Sequence, residues 1–136
     1  MQKNSSKNIL NKKVFITGAS SGIGLALCKR YLEEGWEVIG LARDISKIPI
    51  STKDNSNFQF IKADLSNFEK SKLVMIDVFK KNKDINTFIL NAGIYTPDSF
   101  INFSFENAKK TFNTNVLSIY LTLELINSNF ELNSNL

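Results

Sequence analysis

The chain has 136 residues, of which 43% are hydrophobic and 22% charged, the balance of an ordinary single globular domain. Its formal net charge of +4 comes from dispersed lysines rather than one basic run, a pattern that predicts no nucleic-acid partner. A single cysteine excludes an intramolecular disulfide, and without histidine the chain offers no spacing for a metal site. It also has no apolar stretch of roughly 18 residues and no signal-peptide core, which predicts a cytoplasmic protein with no membrane span.

Short apolar runs and helical patterns alternate along the middle of the chain. The first and last segments are polar and rich in asparagine, so we expect flexible tails at 1–12 and 129–136 around one domain at 13–128. The apolar runs predict buried strands at 13–17, 36–42, 58–63 and 85–91. Helical spacing predicts helices at 22–34 and 44–49, a third from 66, and a long one at 105–128, with a loop at 51–57.

Capping residues and apolar spacing predict where these helices begin, end and pack. Gly35 lies where a helix C-terminal cap belongs, Ser66 begins a Ser-x-x-Glu capping box, and Ser104 can cap the long helix. We expect the third helix to bury Leu73, Ile76, Val78 and Phe79. We expect the long helix to bury Phe105, Ala108, Phe112, Val116, Ile119, Tyr120 and Leu123.

Strict alternation of strands and helices predicts an α/β fold, a Rossmann-type doubly wound parallel sheet of four strands with flanking helices. In such sheets ligands bind beyond the carboxyl ends of the strands, where the strand order reverses. The segment TGASSGIG (17–24) lies at that location, between the first strand and the first helix. We therefore expect the binding site to begin there.

The three glycines of this segment predict a phosphate-binding turn. Gly18 permits a sharp exit from the strand, Gly22 leaves room for a pyrophosphate, and Gly24 permits close contact between helix and strand. The helix N-terminus offers free N–H groups to phosphate oxygens, and Ser20 and Ser21 add hydroxyl donors. The spacing Gly-x-x-x-Gly-x-Gly differs from the usual dinucleotide fingerprint, and no Lys-Ser or Lys-Thr follows as in a P-loop.

Four segments of the chain together resemble the short-chain dehydrogenase/reductase family. TGASSGIG (17–24) matches the cofactor loop of that family, and ADLSN (63–67) matches its Asp-Leu after strand three. LNAG (90–93) is similar to its Asn-Ala-Gly, and FNTNVLS (112–118) is similar to its Asn-containing helix. The resemblance covers about 13–126 and implies hydride transfer between a nicotinamide cofactor and an alcohol or carbonyl substrate.

The resemblance also implies roles for single residues, each with a simpler alternative. Asp64 would accept a hydrogen bond from the adenine amino group with Leu65 beside the ring, or it merely helps to start the next helix. Asn91, Ala92 and Gly93, together with Ile23 of the glycine turn, would lie along the cofactor, although Asn91–Gly93 could be only a turn. Asn115 would mark a local kink and hold a water molecule in a proton relay.

Charge at the end of the second strand bears on the choice of cofactor. NAD-binding sites carry an acidic residue there for the ribose 2′-hydroxyl, whereas here Arg43 follows the strand. Arginine binds phosphate through paired, charge-assisted hydrogen bonds. We therefore expect NADP, and Asp44, one residue further, keeps NAD as the alternative.

The catalytic pair that the family implies is missing from these 136 residues. The pair is spaced Tyr-x-x-x-Lys, and Tyr31, Tyr95 and Tyr120 are each followed four residues later by another residue type. We therefore expect the chain to be the cofactor-binding half of such an enzyme, as a fragment or a truncated reading frame, and to be inactive alone. The alternatives are a non-catalytic dinucleotide-binding module and a Rossmann-type methyltransferase, against which the three glycines and the Asn-Ala-Gly segment argue.

The predicted partners are a small alcohol or carbonyl substrate and a second copy of the chain. The fourth strand would lie at an edge of the sheet, and an exposed apolar edge favours association. A homo-oligomer would then form through strand 85–91 or through the long helix 105–128.

Overall fold

Four parallel strands form the centre of the structure, in the spatial order β3-β2-β1-β4. The computed structural model describes residues 12–97, 99, 101 and 103–131, so the predicted tails lie mostly outside the described residues. The strands are β1 (Lys13–Thr17), β2 (Glu37–Ala42), β3 (Phe58–Lys62) and β4 (Thr87–Leu90). The predicted α/β fold with a parallel sheet is confirmed, and the strand order reverses between β1 and β4.

Helices cover both faces of this sheet. They are α1 (Gly22–Glu33), the short α2 (Ile50–Lys53), α3 (Phe68–Lys81), α4 (Phe105–Phe112) and α5 (Ser118–Asn129). A π-helical turn (Asn113–Leu117) joins α4 to α5, so the predicted long helix is interrupted in its middle. Among the described residues, no helix is long and apolar enough to cross a membrane.

The larger core lies between the sheet and the helices α3 and α5. Its centre is a group of aromatic rings in edge-to-face or tilted contact: Phe15, Phe79, Phe88 and Phe130. The ring centroids of Phe15 and Phe79 are 5.1 Å apart, and those of Phe88 and Phe130 are 5.0 Å apart. Because Phe130 belongs to this group, the folded part of the chain extends beyond residue 128 into the predicted C-terminal tail.

The smaller core lies between the other face of the sheet and α1. Val14 and Ile16 of β1 and Val38 of β2 are fully buried there against Ala19 and Cys28. Burial raises the pKa of the Cys28 thiol to about 11, because the thiolate would lose its hydration. The thiol is therefore protonated near neutral pH and packs as a small apolar group.

Lys13 links the N-terminal ends of three strands, at the end of the sheet opposite the glycine turn. Its ammonium group lies 2.9 Å from Glu37 and 3.0 Å from Asp84, and it donates a hydrogen bond of 3.3 Å to Asn82. Burial alone would lower the pKa of Lys13, but the hydrogen bonds and charges of the two carboxylates outweigh burial and raise it. Lys13 therefore stays charged through the neutral range.

Two predicted elements after β2 and β3 are wrong, and local hydrogen bonds explain both. The helix expected at 44–49 is absent, because the Asp44 carboxylate accepts hydrogen bonds from the N–H and hydroxyl of Ser46 and turns the chain. Pro49 instead precedes α2, which takes up the start of the loop expected at 51–57. Asn67, not Ser66, caps α3 by accepting from the N–H of Lys70.

The predicted buried faces of the later helices are also wrong in part. Leu73 is 70% exposed, whereas Val78 and Phe79 are buried as expected. Along the α4–α5 run, Val116 and Ile119 of the predicted face are half-buried. The rest of that face is exposed, and Phe105, Phe112, Tyr120 and Leu123 are at least half exposed. The buried positions are instead Thr114, Ser118, Thr122, Leu125 and Ile126.

Small hydroxyl residues lie on the buried side of this helix, which an apolar pattern cannot predict. Ser118 and Thr122 donate hydrogen bonds to the carbonyl groups of Thr114 and Ser118, so both hydroxyls are satisfied within the helix. Thr122 also lies 3.6 Å from the sulfur of Met75 on α3. Residues of this size let α5 pack closely on α3.

Strand β4 is shorter than predicted and lies at one edge of the sheet. Ile85 and Asn86 belong to the turn after α3, where the N–H of Ile85 donates to the carbonyl of Asn82. Ile85 is buried rather than exposed, and the residues of β4 are half-buried. Within the described residues β4 pairs only with β1, so its other edge is free, as predicted.

A matched pair of leucine truncations tests the observed faces. We expect Leu125→Ala, at a position 4% exposed, to lower the free energy of unfolding by about 2–5 kcal/mol, because it leaves a cavity in the larger core. Leu73→Ala, at a position 70% exposed, should change it by less than about 0.5 kcal/mol. Urea denaturation measures both values, and equal losses would contradict the orientation of α3.

Candidate functional site

A cleft of about 290 Å³ opens at the carboxyl ends of the strands, where the strand order reverses. All four strands contribute to it, directly or through the residue that follows them. The cleft is lined by Gly18, Ser20, Ser21, Ile23, Leu41, Ala42, Arg43, Ala63, Asp64, Leu65, Asn91, Ala92, Gly93, Ile94 and Thr114. The sequence-predicted residues therefore come together, except that Gly22, Gly24 and Asn115 do not line the cleft.

The glycine turn has the sharp backbone that the sequence predicts. Gly18 has φ +72° and its N–H donates to the carbonyl of Leu41 at 2.9 Å, which joins the turn to β2. Gly22 has φ +52°, a region that L-residues with a side chain rarely adopt. A Cβ atom on Gly22 would meet no atom of the chain within 4 Å, so packing within the protein does not require glycine here. Its backbone angle is the constraint that the structure shows.

Gly24 is required by close packing behind the cleft. A Cβ atom at this position would overlap the carbonyl oxygen of Gly18 and lie 2.7 Å from Nδ2 of Asn91. A Cβ atom on Gly18 would likewise lie 3.0 Å from the same nitrogen. The carboxamide of Asn91 thus fills space that two glycines leave, and it donates to the carbonyl of Thr17 at 3.2 Å.

The N-terminus of α1 meets the cleft with its amide groups uncapped. Ser21, the N-cap residue, has an extended backbone and makes no side-chain capping bond within the described part of the chain. In contrast, Asn67 caps α3 and Ser104 caps α4 through their side chains, as predicted for Ser104. The first turn of α1 also contains no acidic residue. The free N–H groups and the helix dipole therefore favour an anion here.

Two neighbouring charges at the end of β2 behave differently. Arg43 is exposed and lines the cleft, whereas Asp44 does not line it. Both carboxylate oxygens of Asp44 accept from Ser46, at 2.8 and 2.6 Å. These two bonds, with the charges of Lys47 and Lys62, hold the pKa of Asp44 below its usual value.

Asp64 shapes the turn before α3, which is the simpler of the two roles that the sequence leaves open. Its Oδ1 accepts from the N–H and the hydroxyl of Ser66, at 2.9 and 2.7 Å, which shapes the turn before α3. Both bonds end on Oδ1, so Oδ2 keeps its capacity to accept from a ligand. Partial burial would raise the pKa of Asp64, but the Ser66 bonds and the charges of Arg43 and Lys110 outweigh it and lower the pKa. The carboxylate is therefore ionised at neutral pH.

Asn115 fixes the backbone of Ile94, which lines the cleft beyond the end of β4. Its Oδ1 accepts from the N–H of Ile94 at 2.7 Å, and its Nδ2 donates to the carbonyl of Ile94 at 2.8 Å. Asn115 lies in the middle of the π-helical turn, where such a break is frequent at functional sites. Both polar groups of the side chain are thus committed to holding the segment after β4.

Five lining residues were missed by sequence reasoning. Leu41, Ala42 and Ala63 were assigned only to strands, and Ile94 only to a loop. Thr114 is 7% exposed and lines the cleft from the π-helical turn, a position that apolar spacing could not assign. Among the described residues no group of acidic, cysteine or histidine side chains could hold a metal ion.

Comparison with known proteins agrees with this geometry. A family model for short chain dehydrogenases matches residues 12–134, nearly the whole chain. The chain belongs to the short-chain dehydrogenase family. Dehydrogenase/reductase SDR family member 11 of Bos taurus is 29% identical over 115 residues, 80% of this chain and 45% of that protein. This short-chain dehydrogenase chain spans between 24% and 45% of the length of the first curated relatives that it matches.

Solved structures of the family share the fold over most of this chain. A 4-hydroxyisoleucine dehydrogenase complexed with NADH is 25% identical with a TM-score of 0.74, covering 87% of this chain and 49% of that one. ElxO with NADP bound has the same identity and TM-score, covering 87% of this chain and 50% of that one. The described short-chain dehydrogenase fold therefore corresponds to about half of each.

Replacing Gly24 by alanine tests the packing behind the cleft. We expect Gly24→Ala to lower the free energy of unfolding by about 1–3 kcal/mol, because the new methyl group displaces Gly18 or Asn91. Gly93→Ala is the control, since its Cβ atom would meet Asn115 at an ordinary 3.5 Å. Urea denaturation compares them, and a Gly24→Ala variant as stable as the control would refute the close contact.

Proposed function

We propose that this chain binds a nicotinamide adenine dinucleotide as the cofactor-binding part of an oxidoreductase that acts on an alcohol or carbonyl substrate. The observation that carries the proposal is the uncapped N-terminus of α1 behind a glycine turn, facing the cleft at the strand ends. The pyrophosphate would accept hydrogen bonds from the first amide groups of α1, with the hydroxyls of Ser20 and Ser21 beside it.

The remaining lining residues fit the adenosine part of such a cofactor. Oδ2 of Asp64 would accept from the adenine amino group, with Leu65, which is 5% exposed, beside the ring. The backbone of Asn91, Ala92 and Gly93 would run along the cofactor at the end of β4. The half-buried Asn91 and Ala92 are already fixed by hydrogen bonds with Thr17, so this wall is preformed.

Arg43 supports NADP over NAD for this chain. Two solved relatives of equal identity bind different cofactors, one NADH and one NADP, so likeness of fold does not decide the preference. Arg43 lines the cleft, whereas both oxygens of Asp44 accept from Ser46 and are less available to a ribose hydroxyl. A guanidinium group facing the ribose favours a 2′-phosphate.

Calorimetric titration tests the proposed function and the preference together. We expect the chain to bind NADP more tightly than NAD, and Arg43→Gln to weaken NADP binding by about 10–100-fold through loss of a charged hydrogen bond. Arg30→Gln is the matched control, because Arg30 pairs with Glu34 on the surface of α1. Tighter binding of NAD by the natural chain would refute the NADP assignment, and no binding of either would refute the proposed function.

Asn115 acts in this proposal as a positioning residue. Its side chain bonds to both the N–H and the carbonyl of Ile94, so its first effect is to fix that segment. Hydride transfer is the chemistry that the nicotinamide supplies when bound. The role of Asn115 is to fix the segment beyond Gly93, which forms one side of the cleft.

Removing the donor of Asn115 tests this role. We expect Asn115→Asp to lower the free energy of unfolding by about 1–3 kcal/mol, because a carboxylate oxygen then faces the carbonyl of Ile94. NADP binding should weaken as well, because Ile94 lines the cleft. Asn113→Asp, with the same charge change in the same turn, is the control. Identical urea and calorimetric results for both variants would contradict the positioning role.

The second candidate is a non-catalytic dinucleotide-binding module that acts with a partner chain. It is favoured by one observation, that none of the three tyrosines has a lysine four residues later. General acid–base catalysis of hydride transfer in this family would need such a pair. Oxidation of NADPH with a panel of carbonyl substrates separates the candidates, because turnover by the 136-residue chain would exclude the non-catalytic module.

A second copy of the chain is the macromolecular partner that we propose. The outer face of the α4–α5 run carries four large apolar residues that are at least half exposed: Phe105, Phe112, Tyr120 and Leu123. An apolar surface of this kind is typical of protein–protein contacts.

We also propose a cytoplasmic location. Cys28 is a buried free thiol, and a free thiol is typical of a reducing compartment.

A further inference from the structure

Thr114 is a buried threonine whose hydroxyl group opens into the cleft. The residue is 7% exposed and lines the cleft from the π-helical turn. Its hydroxyl makes no hydrogen bond within the part of the chain that the structure describes, although every fully enclosed side-chain nitrogen or oxygen there has a partner. The hydroxyl is therefore not fully enclosed, and the cleft is the open space beside this residue.

The other buried hydroxyl groups of the same helical run are used within the protein. Ser118 donates to the carbonyl of Thr114 at 2.6 Å, and Thr122 donates to the carbonyl of Ser118 at 2.7 Å. Thr114 differs from both, because its backbone carbonyl is bonded and its side-chain hydroxyl is not. Such a hydroxyl costs free energy when a ligand displaces its water, so a bound ligand has to supply a partner.

The packing of α5 on α3 places Thr114 beside the start of α3. The hydroxyl of Thr122 lies 3.6 Å from the sulfur of Met75, and further along the two helices Phe130 contacts Phe79. Both helices therefore run in the same direction, away from the cleft. Two turns before the contact with Met75, about 12 Å along each helix, lie Thr114 on one side and the start of α3 on the other.

Asp64 and Thr114 offer complementary hydrogen-bonding groups at this end of the cleft. Asp64 and Leu65 come shortly before α3 and line the same cleft as Thr114. An ionised carboxylate only accepts hydrogen bonds, whereas a hydroxyl group can donate as well. Adenine carries both an amino donor and a ring-nitrogen acceptor on one edge. Thr114 thus adds the donor that the carboxylate lacks.

We propose that Thr114 is a specificity-determining residue for the adenosine part of the cofactor, to which its hydroxyl donates a hydrogen bond. The proposal rests on the proposed function and adds a contact from the helical wall of the cleft. Because the carbonyl of Thr114 already accepts from Ser118, the backbone of this residue is fixed before a ligand binds. Little conformational entropy is therefore lost when the contact forms.

Calorimetric titration of the full 136-residue chain with two ligands tests this contact. The ligands are NADP and 2′-phospho-ADP, which is NADP without its nicotinamide riboside. We expect Thr114→Val, which replaces the hydroxyl by a methyl group of similar size, to weaken binding of both ligands by about 3–10-fold through the loss of one hydrogen bond. Thr114→Ser, which keeps the hydroxyl, should bind both within about twofold of the natural chain.

Thr122→Val is the matched control, because it makes the same change of side chain two turns further along the helix. Thr122 is buried and does not line the cleft, and its hydroxyl bonds within the helix. We expect this variant to bind both ligands within about twofold of the natural chain. Since the hydroxyl of Thr114 stabilises no contact in the described protein, Thr114→Val should not lower the midpoint of urea denaturation. Circular dichroism verifies that all variants fold.

The outcomes separate this contact from the proposed function. Weaker binding of both ligands by Thr114→Val, with recovery in Thr114→Ser and no change in Thr122→Val, supports the contact. Weaker binding of NADP alone assigns the hydroxyl to the nicotinamide side and overturns the proposal. Unchanged binding by Thr114→Val, a lowered urea midpoint in that variant, no recovery in Thr114→Ser, or equal weakening in Thr122→Val refutes the contact while cofactor binding stands. If the natural chain binds neither ligand, the proposed function falls and the contact falls with it.

Discussion

The contact between the Asn91 carboxamide and two glycines is the constraint on which the cleft depends. The side chain lies where Cβ atoms of Gly18 and Gly24 would otherwise be, and it donates to Thr17. One side chain therefore connects the end of β4, the turn after β1 and the first turn of α1. The three elements approach this closely because Gly18 and Gly24 carry only hydrogen where a Cβ atom would displace the carboxamide.

The sheet was predictable because its signals are local and strong. Continuous apolar runs predict four strands, and the glycine turn after β1 predicts the end of the sheet at which the cleft opens. The short elements failed for an equally local reason. Ser46 turns the chain after β2 through two hydrogen bonds to Asp44, and Asn67 caps α3 through one from Lys70. Several residues in each segment could have made such bonds.

The faces of α4 and α5 could not be predicted from apolar spacing. The chain buries Thr114, Ser118 and Thr122 and leaves Phe112 and Tyr120 exposed, because close packing on α3 favours small residues whose hydroxyls bond to their own helix. For the same reason, apolar spacing does not predict Thr114 as a residue of the cleft. Thr114 reaches the cleft only because the π-helical turn changes the register of the helix there.

Strand β4 has one further consequence for this molecule. Its free edge runs parallel to β1 and leads directly into Gly93 and Ile94, so any segment that adds a strand there in parallel would end beside the cleft. Covering the apolar edge and building the neighbouring wall of the binding site would then be a single folding event. Edge protection and ligand recognition would thus be coupled through the backbone hydrogen bonds of the added strand.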